Sequence, residues 1–230
     1  KLRAPSRPLP VPTPRTLPGA APAAVGEPAR RDLVKPAGSP ARDIVAIGVS
    51  TGGPPAVQKV LSSLPADFPA AILIAQHMPA AFTGPFAKRL DSICKIRVKE
   101  AEHGERVMPG TAYVAPGGRH LRIDQKVSRI DVVVSPEPQE ALYKPSANEL
   151  IRSVAEGVGK RGLGVIMTGM GSDGAEGIKA LKEKGGRVLA QNDASCVVYG
   201  MPKAVVDAGL ADEILDIDEL AEAILANIYK

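Results

Sequence analysis

The sequence has few of the residues that cross-link small secreted domains or build metal centres. Only two cysteines occur in 230 residues, and Cys94 and Cys196 lie far apart, without the spacing of redox or metal motifs. This argues against a disulfide scaffold and a four-cysteine zinc site, and it suits a reducing cytoplasm. No apolar run approaches the ~18 residues that indicate a membrane span, and no apolar signal core follows Lys1. We therefore expect a cytoplasmic protein with no membrane insertion, no metal and no cofactor.

Tryptophan is absent and aromatic residues make up 3% of the chain, which bears on whether the protein binds nucleic acid. The formal charge of +4 and the pI near 9.1 would by themselves suit an acidic partner. However, residues 1–40 hold seven positive and two negative side chains, whereas the other 190 residues hold 22 and 23. The basic charge thus belongs to the N-terminal segment, and few aromatic rings are available to stack on bases. We predict no nucleic-acid partner, and any such binding should vanish when residues 1–40 are deleted.

The first 40 residues also differ from the rest in composition, because they contain ten of the 22 prolines and many alanines. They have no helical or alternating apolar period, which predicts a disordered basic linker. Residues 41–230 are long enough to bury one sizeable core, so we predict a single domain there. The chain begins without methionine, and we expect it to be a fragment of a longer protein.

The pattern after residue 43 predicts an α/β fold. Short apolar runs at 43–49, 70–76, 162–170 and 186–191 alternate with segments of helical period, which is typical of a parallel sheet covered by helices. KIRVKE, from Lys95, predicts a shorter strand. In the region 106–134, the segments TAYVAP, RHLRID and SRIDVVV are closely spaced and alternate in polarity, which predicts a small antiparallel extension.

Three polar residues stand where predicted strands end. Ser50 lies in GVSTGG, which matches the G-x-S-x-G elbow between a strand and a helix, a turn that presents a serine hydroxyl. A helix-capping turn or a phosphate-binding turn would leave the same pattern. His77 follows the second strand, where a buried structural histidine is the alternative. His103 and His120 lack this position, and we predict that both are solvated.

Asp173 follows the apolar run GLGVIM, and an N-cap paired with Glu176 is its structural alternative. Ligands of open parallel sheets bind beyond the carboxyl ends of the strands, so we expect these three side chains at one edge. A serine needs an imidazole base, and the imidazole needs a carboxylate partner. The candidate catalytic residues are therefore Ser50, His77 and Asp173, in a chain order that differs from the Ser, Asp, His order of α/β-hydrolases.

Two backbone N–H groups are candidates for an oxyanion hole, those of Thr51, directly after the serine, and Met170, between two glycines. Each could equally be an ordinary turn amide. The segment QNDASCVVYGM (191–201) either lines the rim of the site or is a loop that packs Val197, Val198 and Tyr199 into the core, and composition favours the second. Composition also indicates that Cys196 is a small buried side chain rather than a nucleophile.

Five segments together resemble the catalytic domain of the CheB family, the chemotaxis protein-glutamate methylesterases: IGVSTGG, AQHMP, KEAEHGERVMPGTAYVAPGGRH, MTGMGSDGAEG and LAQNDASCVVYGMP. The resemblance covers the chain from residue 43 to its C-terminus. It implies a doubly wound, mostly parallel α/β fold, a triad on Ser50, His77 and Asp173, and an oxyanion donor at Met170. It also implies hydrolysis of γ-glutamyl methyl esters on the cytoplasmic helices of chemoreceptors, with release of methanol, and deamidation of receptor glutamines, both through an acyl-serine.

The resemblance has one departure, because members of this family carry an N-terminal receiver domain and this chain has no receiver pattern. In the family, phosphorylation of that domain by the chemotaxis histidine kinase relieves inhibition. We therefore expect a catalytic fragment that is constitutively active and preceded by the interdomain linker. A non-enzymatic module that binds a phosphate at residues 50–53 is the alternative from another class, and it would make His77 and Asp173 dispensable.

Overall fold

The computed structural model describes residues 33–230 of the chain. Most of the predicted linker, residues 1–32, lies outside the described residues, and residues 33–40 contain no helix or strand. The boundary near residue 40 therefore stays a prediction. The elements follow in chain order: β1 (Ile44–Val49), α1 (Gly53–Ser63), β2 (Ala71–Gln76), α2 (Ala80–Ile93), β3 (Arg97–Glu100), β4 (Thr111–Val114), β5 (His120–Gln125), β6 (Ile130–Ser135), α3 (Ala147–Val158), β7 (Gly162–Ile166), α4 (Ala175–Glu183), β8 (Arg187–Gln191), α5 (Met201–Asp207), β9 (Glu213–Leu215) and α6 (Leu220–Ile228).

Seven of these strands form one sheet in the order β3-β4-β2-β1-β7-β8-β9, and every neighbouring pair is parallel. From β1 the chain first builds the β2 side of the sheet and then returns to build the β7 side. The direction of strand addition therefore reverses between β1 and β7. In doubly wound sheets, the crevice at this switch point is where ligands bind, beyond the carboxyl ends of the strands.

Helices cover both faces of the sheet, as its apolar strands require. All six residues of β1 are buried, and they alternate between two apolar clusters, with Val45 in one and Ala46 in the other. Buried side chains of α1, α2 and α6 pack in the first cluster, and those of α3, α4 and α5 in the second. Such two-sided burial is why the central strands are continuous apolar runs instead of alternating ones. The predicted doubly wound, mostly parallel α/β fold is confirmed.

One part of the predicted antiparallel extension is wrong. TAYVAP forms β4, which lies between β2 and β3 and pairs parallel with both. All four residues of β4 are buried, so the strand belongs to the interior of the main sheet. Residues 101–110 connect β3 to the parallel strand β4 and contain no helix. The two strands are therefore close in sequence.

The rest of the extension forms as expected. β5 and β6 form a separate two-stranded antiparallel sheet, with Leu121 opposite Val134. Leu121, Ile123 and Val132 are buried in the same apolar cluster as α3. A two-stranded ribbon is marginally stable alone, so this contact with α3 stabilises it. In residues 33–230, no helix combines the length and the apolar character needed to span a membrane.

Candidate active site

Ser50 and His77 are brought together by the register of two central strands. The strands β1 and β2 pair with Val49 opposite Gln76, and the His77 N–H donates to the Val49 carbonyl at 3.1 Å. Ser50 and His77 therefore directly follow the carboxyl ends of two adjacent strands. On the other side, the Ser50 N–H donates to the Thr168 carbonyl at 3.0 Å, which joins the serine to the segment after β7.

Asp173 completes this group through a hydrogen bond to the imidazole. His77 Nε2 lies 2.8 Å from Asp173 Oδ2, and the two side chains are 11% and 3% exposed. An ionised carboxylate only accepts hydrogen bonds, so Nε2 carries the proton of the neutral imidazole and Nδ1 is the basic nitrogen. Nδ1 is buried and has no hydrogen-bond partner within the described residues, so Ser50 Oγ is not hydrogen-bonded to it here. Such contacts are often long before substrate binds.

Asp173 is held in place by the first turn of α3. Its Oδ1 accepts from the Ser146 hydroxyl (2.9 Å) and the Asn148 N–H (3.0 Å), and its Oδ2 accepts from the Ala147 N–H (2.6 Å) as well as from His77. Burial raises the pKa of the Asp173 carboxyl, but these hydrogen bonds outweigh it and hold the pKa below its ordinary value. The carboxylate is therefore ionised and has two donors on each oxygen.

The alternative in which Asp173 caps its own helix is wrong. The N-cap of α4 is Gly174, which has a positive φ of 104° and no side-chain cap. Asn148 supplies the cap instead, because its Oδ1 accepts from the N–H groups of Gly174 and Gly177. Asp173 thus accepts from the first N–H groups of α3, whose N-cap residue is Ser146, while Asn148 of α3 caps α4. This exchange fixes the two helix starts, and with them the position of the Asp173 carboxylate.

The turn after Ser50 is tightly packed around glycines. Gly52 has a φ of 79°, and the Gly53 N–H donates to the Ser50 carbonyl at 2.8 Å. Gln76 Nε2 donates to the carbonyls of Ser50 and His77, both at 3.1 Å, and a Cβ on Gly53 would collide with Gln76 Oε1. Gln76 therefore links the serine and histidine turns, and sequence analysis gave it no role. The sequence signal that could have identified Gln76 is its position as the one polar residue at the end of a buried apolar strand.

The segment after β7 packs directly against the serine. A Cβ on Gly169 would lie 2.8 Å from Ser50 Cβ and would collide with Met201 Sδ. The two candidate oxyanion donors flank this contact, since Thr51 follows Ser50 and Met170 follows Gly169. In the part of the chain that the structure covers, neither the Thr51 nor the Met170 N–H donates a hydrogen bond. Both groups therefore lack an acceptor within the described residues.

Residues 191–201 form a rim of the site, and the core-packing interpretation is wrong. Val197 is 69% exposed, and Val198 and Tyr199 are half-buried. Tyr199 forms an isolated β-bridge with Gly169, and the N–H groups of Val197 and Val198 donate to Thr168 Oγ1. The loop is therefore tied to the segment after β7 by a β-bridge and by hydrogen bonds to the Thr168 hydroxyl, and only Met201 at its end is buried in the apolar core.

Cys196 has no features of a nucleophile. The side chain is half-buried, and burial raises the pKa of its thiol to about 11. The thiol is therefore protonated at neutral pH, and a protonated thiol is a poor nucleophile. The predicted full burial of Cys196 is wrong, whereas the protonated thiol agrees with the prediction that it is not a nucleophile.

The other two histidines differ from each other. His103 is exposed, as predicted, but His120 is fully buried, so its predicted solvation is wrong. The His120 ring is covered by the segment between β6 and α3: Nδ1 accepts from the Ser146 N–H (3.3 Å) and Nε2 donates to the Pro138 carbonyl (3.2 Å). Burial lowers the pKa of His120, although the Pro138 hydrogen bond opposes it. The same segment carries Tyr143, whose ring stacks on His77 and which no sequence signal identified.

A pocket opens on the Asp173 side of the site, and neither Ser50 nor His77 lines it. It has a volume of about 360 Å³ and is lined by Asp173, Ser172, loop residues 138 and 140–143, and the start of α3. Among residues 33–230 there is no group of three or more His, Cys, Asp or Glu side chains that could hold a metal ion. The site therefore offers a serine, a histidine–aspartate pair, two unused N–H groups and an adjoining cavity.

Comparison with known proteins shows which family the chain resembles. The sequence profile of the CheB methylesterase family matches residues 45–224. The chain is 73% identical over 189 residues to "Protein-glutamate methylesterase/protein-glutamine glutaminase 2" of Nitratidesulfovibrio vulgaris, which covers 82% of this chain and 52% of that protein. A Moorella thermoacetica protein named protein-glutamate methylesterase/protein-glutamine glutaminase is 47% identical over 216 residues, covering 93% and 49%. The chain thus spans about half the length of the curated relatives it matches.

A solved structure is also similar. The crystal structure of the Thermotoga maritima CheB methylesterase catalytic domain superposes with a TM-score of 0.78 at 39% identity, covering 81% of this chain and 98% of that one. At this identity, the likeness extends to sequence as well as to the path of the backbone.

Proposed function

The chain belongs to the CheB methylesterase family, and from this membership we propose that it is a serine hydrolase of chemoreceptor glutamate side chains. The proposed substrates are γ-glutamyl methyl esters, which would release methanol, and receptor glutamines, which would release ammonia. Both reactions transfer an acyl group from a carbonyl to water, so one set of residues serves both. The names of the relatives support both activities.

The observation that carries the proposal is the 2.8 Å hydrogen bond from His77 to Asp173, directly beside the residue after β1, Ser50. In the proposed first step, His77 Nδ1 takes the Ser50 hydroxyl proton as Oγ forms a bond to the side-chain carbonyl carbon. The imidazolium then protonates the methoxide or amide nitrogen as its bond to that carbon breaks. Water hydrolyses the acyl-serine in a second round, with His77 again as base.

The two ring nitrogens have opposite roles from those in the serine protease template. There the aspartate binds Nδ1 and the base is Nε2. Here Asp173 accepts from Nε2, which leaves Nδ1 as the base. Stabilisation of the imidazolium requires only that the carboxylate be ionised and bonded to the other nitrogen, and the low pKa of Asp173 supports this.

The oxyanion of the tetrahedral intermediate would be bound by the N–H groups of Thr51 and Met170. Their support is the contact of Gly169 with Ser50 and the lack of any other acceptor for either group in residues 33–230. Donors already fixed in place need no reorganisation as negative charge develops, which is the basis of this stabilisation.

Methanol release from methylated receptor tests the proposal directly. We expect Ser50→Ala to abolish release and to prevent labelling by a fluorophosphonate, which reacts with activated serines. Ser92→Ala, which changes an exposed helical serine, is the matched control and should behave as the wild type. Full activity in Ser50→Ala would contradict the proposal. A phosphate-binding module would instead show stabilisation by phosphate ligands that persists in His77→Ala.

The proposed partners follow from family membership. The substrate would be the cytoplasmic helices of chemoreceptors, and the protein would act in the cytoplasm during chemotactic adaptation. A receiver domain phosphorylated by the chemotaxis histidine kinase would regulate it, with residues 1–40 as linker and 41–230 as the catalytic domain. Joining a receiver domain to the chain should make the rate depend on a phosphoryl donor, and an unchanged rate would contradict this regulation.

A further inference from the structure

The aromatic ring of Tyr143 lies flat on the imidazole of His77. The ring centroids are 4.2 Å apart and the ring planes differ by 8°. We propose that Tyr143 is a positioning residue that holds the His77 ring in the plane required to present Nδ1 to Ser50. This inference rests on the proposed function, in which His77 is the base.

A single hydrogen bond does not fix an imidazole. The bond from Nε2 to Asp173 anchors one end of the ring, and the Cβ atom anchors the other. Rotation of the ring plane about the line between these two points remains possible, and it would swing Nδ1 away from the serine. A flat ring packed on one face blocks that rotation. The stacked tyrosine ring also faces the imidazolium that would form when His77 accepts the serine proton. The two rings would then attract each other by a cation–π interaction.

The segment that carries Tyr143 is itself held at several points. His120 binds the Pro138 carbonyl with one nitrogen and the Ser146 N–H with the other, so one buried side chain joins both ends of the segment. The Gly118 N–H donates to the carbonyl of Lys144, next to the tyrosine, at 3.0 Å. Tyr143 is therefore presented by an anchored loop, as a positioning role requires.

The tyrosine hydroxyl is not part of this role. It forms no hydrogen bond with the residues described, and a Cβ added to Gly171 would lie 3.3 Å from it. The contact with His77 is made by the ring alone. Phenylalanine should therefore replace Tyr143, whereas a leucine of smaller, non-planar shape should not.

The experiment measures kcat and KM for methanol release by the wild type, Tyr143→Phe, Tyr143→Leu and Gln139→Ala. Gln139 lies on the same loop, is exposed and does not line the pocket, so its variant controls for disturbance of the loop. We expect Tyr143→Leu to lower kcat about 10- to 100-fold with KM little changed, because misplacement of a catalytic group by ~1 Å costs about 10²-fold. Tyr143→Phe and Gln139→Ala should retain the wild-type kcat.

Wild-type kcat in Tyr143→Leu would overturn the inference, and so would an equal loss in Tyr143→Phe or an effect confined to KM. Nitrogen–proton correlation spectra of the histidine ring give a readout independent of turnover. In the wild type and Tyr143→Phe, His77 should show one tautomer with the proton on Nε2, and in Tyr143→Leu its signals should broaden or shift; unchanged signals would also overturn the inference. Loss of activity in Ser50→Ala tests the proposed function separately, so each idea can fail without the other.

Discussion

The candidate site has two halves, an Asp173 half around the carboxylate and a Ser50 half around the serine turn. They differ in how many of their polar groups form hydrogen bonds. Around Asp173, each carboxylate oxygen has two donors, and the helix starts of α3 and α4 cap each other. Around Ser50, His77 Nδ1 lacks a partner, and the N–H groups of Thr51 and Met170 are unused within residues 33–230. The first half is fully hydrogen-bonded within the fold, whereas the second keeps groups without partners, which the proposed mechanism assigns to a reacting carbonyl.

This difference separates the tasks of the two halves. A buried carboxylate must be fully bonded to stay ionised, so its surroundings are satisfied within the fold. In the proposed mechanism, the groups of the Ser50 half would bind the transition state more strongly than the substrate, and unsatisfied donors are suited to that. Changes in the Asp173 half should therefore affect both stability and rate, and changes in the Ser50 half should affect mainly rate.

The largest effect is expected for Asp173→Asn. The amide cannot hold the imidazole in the tautomer with a basic Nδ1, and the equivalent change in the serine protease template lowers kcat about 10⁴-fold. Methanol release measures the loss. Asp218→Asn, which changes an exposed carboxylate paired with Lys59, is the control and should keep wild-type activity. Comparable rates for Asp173→Asn and the wild type would remove Asp173 from the mechanism.

The second-largest loss of activity is expected for Gly169→Ala, which adds a methyl group beside Ser50. The added Cβ would lie 2.8 Å from Ser50 Cβ, so the serine must shift, and we expect kcat for Gly169→Ala to fall about 10²-fold. Gly157→Ala is the matched control, because its Cβ would crowd Ile123 Cδ1 at 3.1 Å, away from the site. Overpacking should cost Gly169→Ala ~1–3 kcal/mol of stability, whereas the added Cβ of Gly157→Ala lies in a helix and meets the end of a flexible side chain. Only Gly169→Ala should lose activity. Equal kcat values would contradict the assignment.

The ionised Asp173 carboxylate should also make the free energy of unfolding depend on pH. The folded-state pKa of Asp173 is below its unfolded value, so its ionisation stabilises the fold above pH ~4 and this contribution is lost as the pH falls through the lower folded-state pKa. Urea unfolding of the wild type and Asp173→Asn from pH 7 to pH 3 measures it. The difference between the two should shrink as the pH falls. A difference that stays constant would show that the carboxylate charge does not contribute.

Loss of the cap on α4 should be a smaller effect. Asn148→Ala leaves the N–H groups of Gly174 and Gly177 without their acceptor, and we expect ~1 kcal/mol of destabilisation. Urea unfolding checks this value. Glu156→Ala, an exposed change on the same helix, is the control and should alter stability by less than about 0.5 kcal/mol. If both variants unfold alike, the reciprocal capping does not contribute to stability.

The smallest effect is expected at Cys196, which lies in the rim loop on the Ser50 side. Because the thiol pKa is about 11, iodoacetamide at neutral pH should leave the residue unmodified and the enzyme active. Cys196→Ser should keep the wild-type rate. Inactivation by the reagent in the wild type, but not in Cys196→Ser, would place the thiol at the reacting centre.

Sequence reasoning reached the parts of the site that local signals mark. Ser50 lies in a glycine turn after an apolar run, and His77 and Asp173 also follow apolar runs, so their place at one sheet edge followed from parallel strands. It failed where the answer depended on distant contacts. β4 looked antiparallel because only residues 115–119 separate it from β5, but it pairs parallel with β2 and β3. His120 looked solvated because the loop that buries it comes later in the chain.

By itself the sequence determined the α/β class, the order of the elements and the three polar residues at strand ends, because the apolar period and the turn residues are local properties. Only the tertiary structure decided which nitrogen of His77 faces Asp173, that Asp173 accepts from the first N–H groups of α3 instead of capping α4, and that Tyr143 covers the imidazole. These features join residues far apart in the chain. Their geometry follows from how helices and loops pack on the sheet, and no local pattern records that packing.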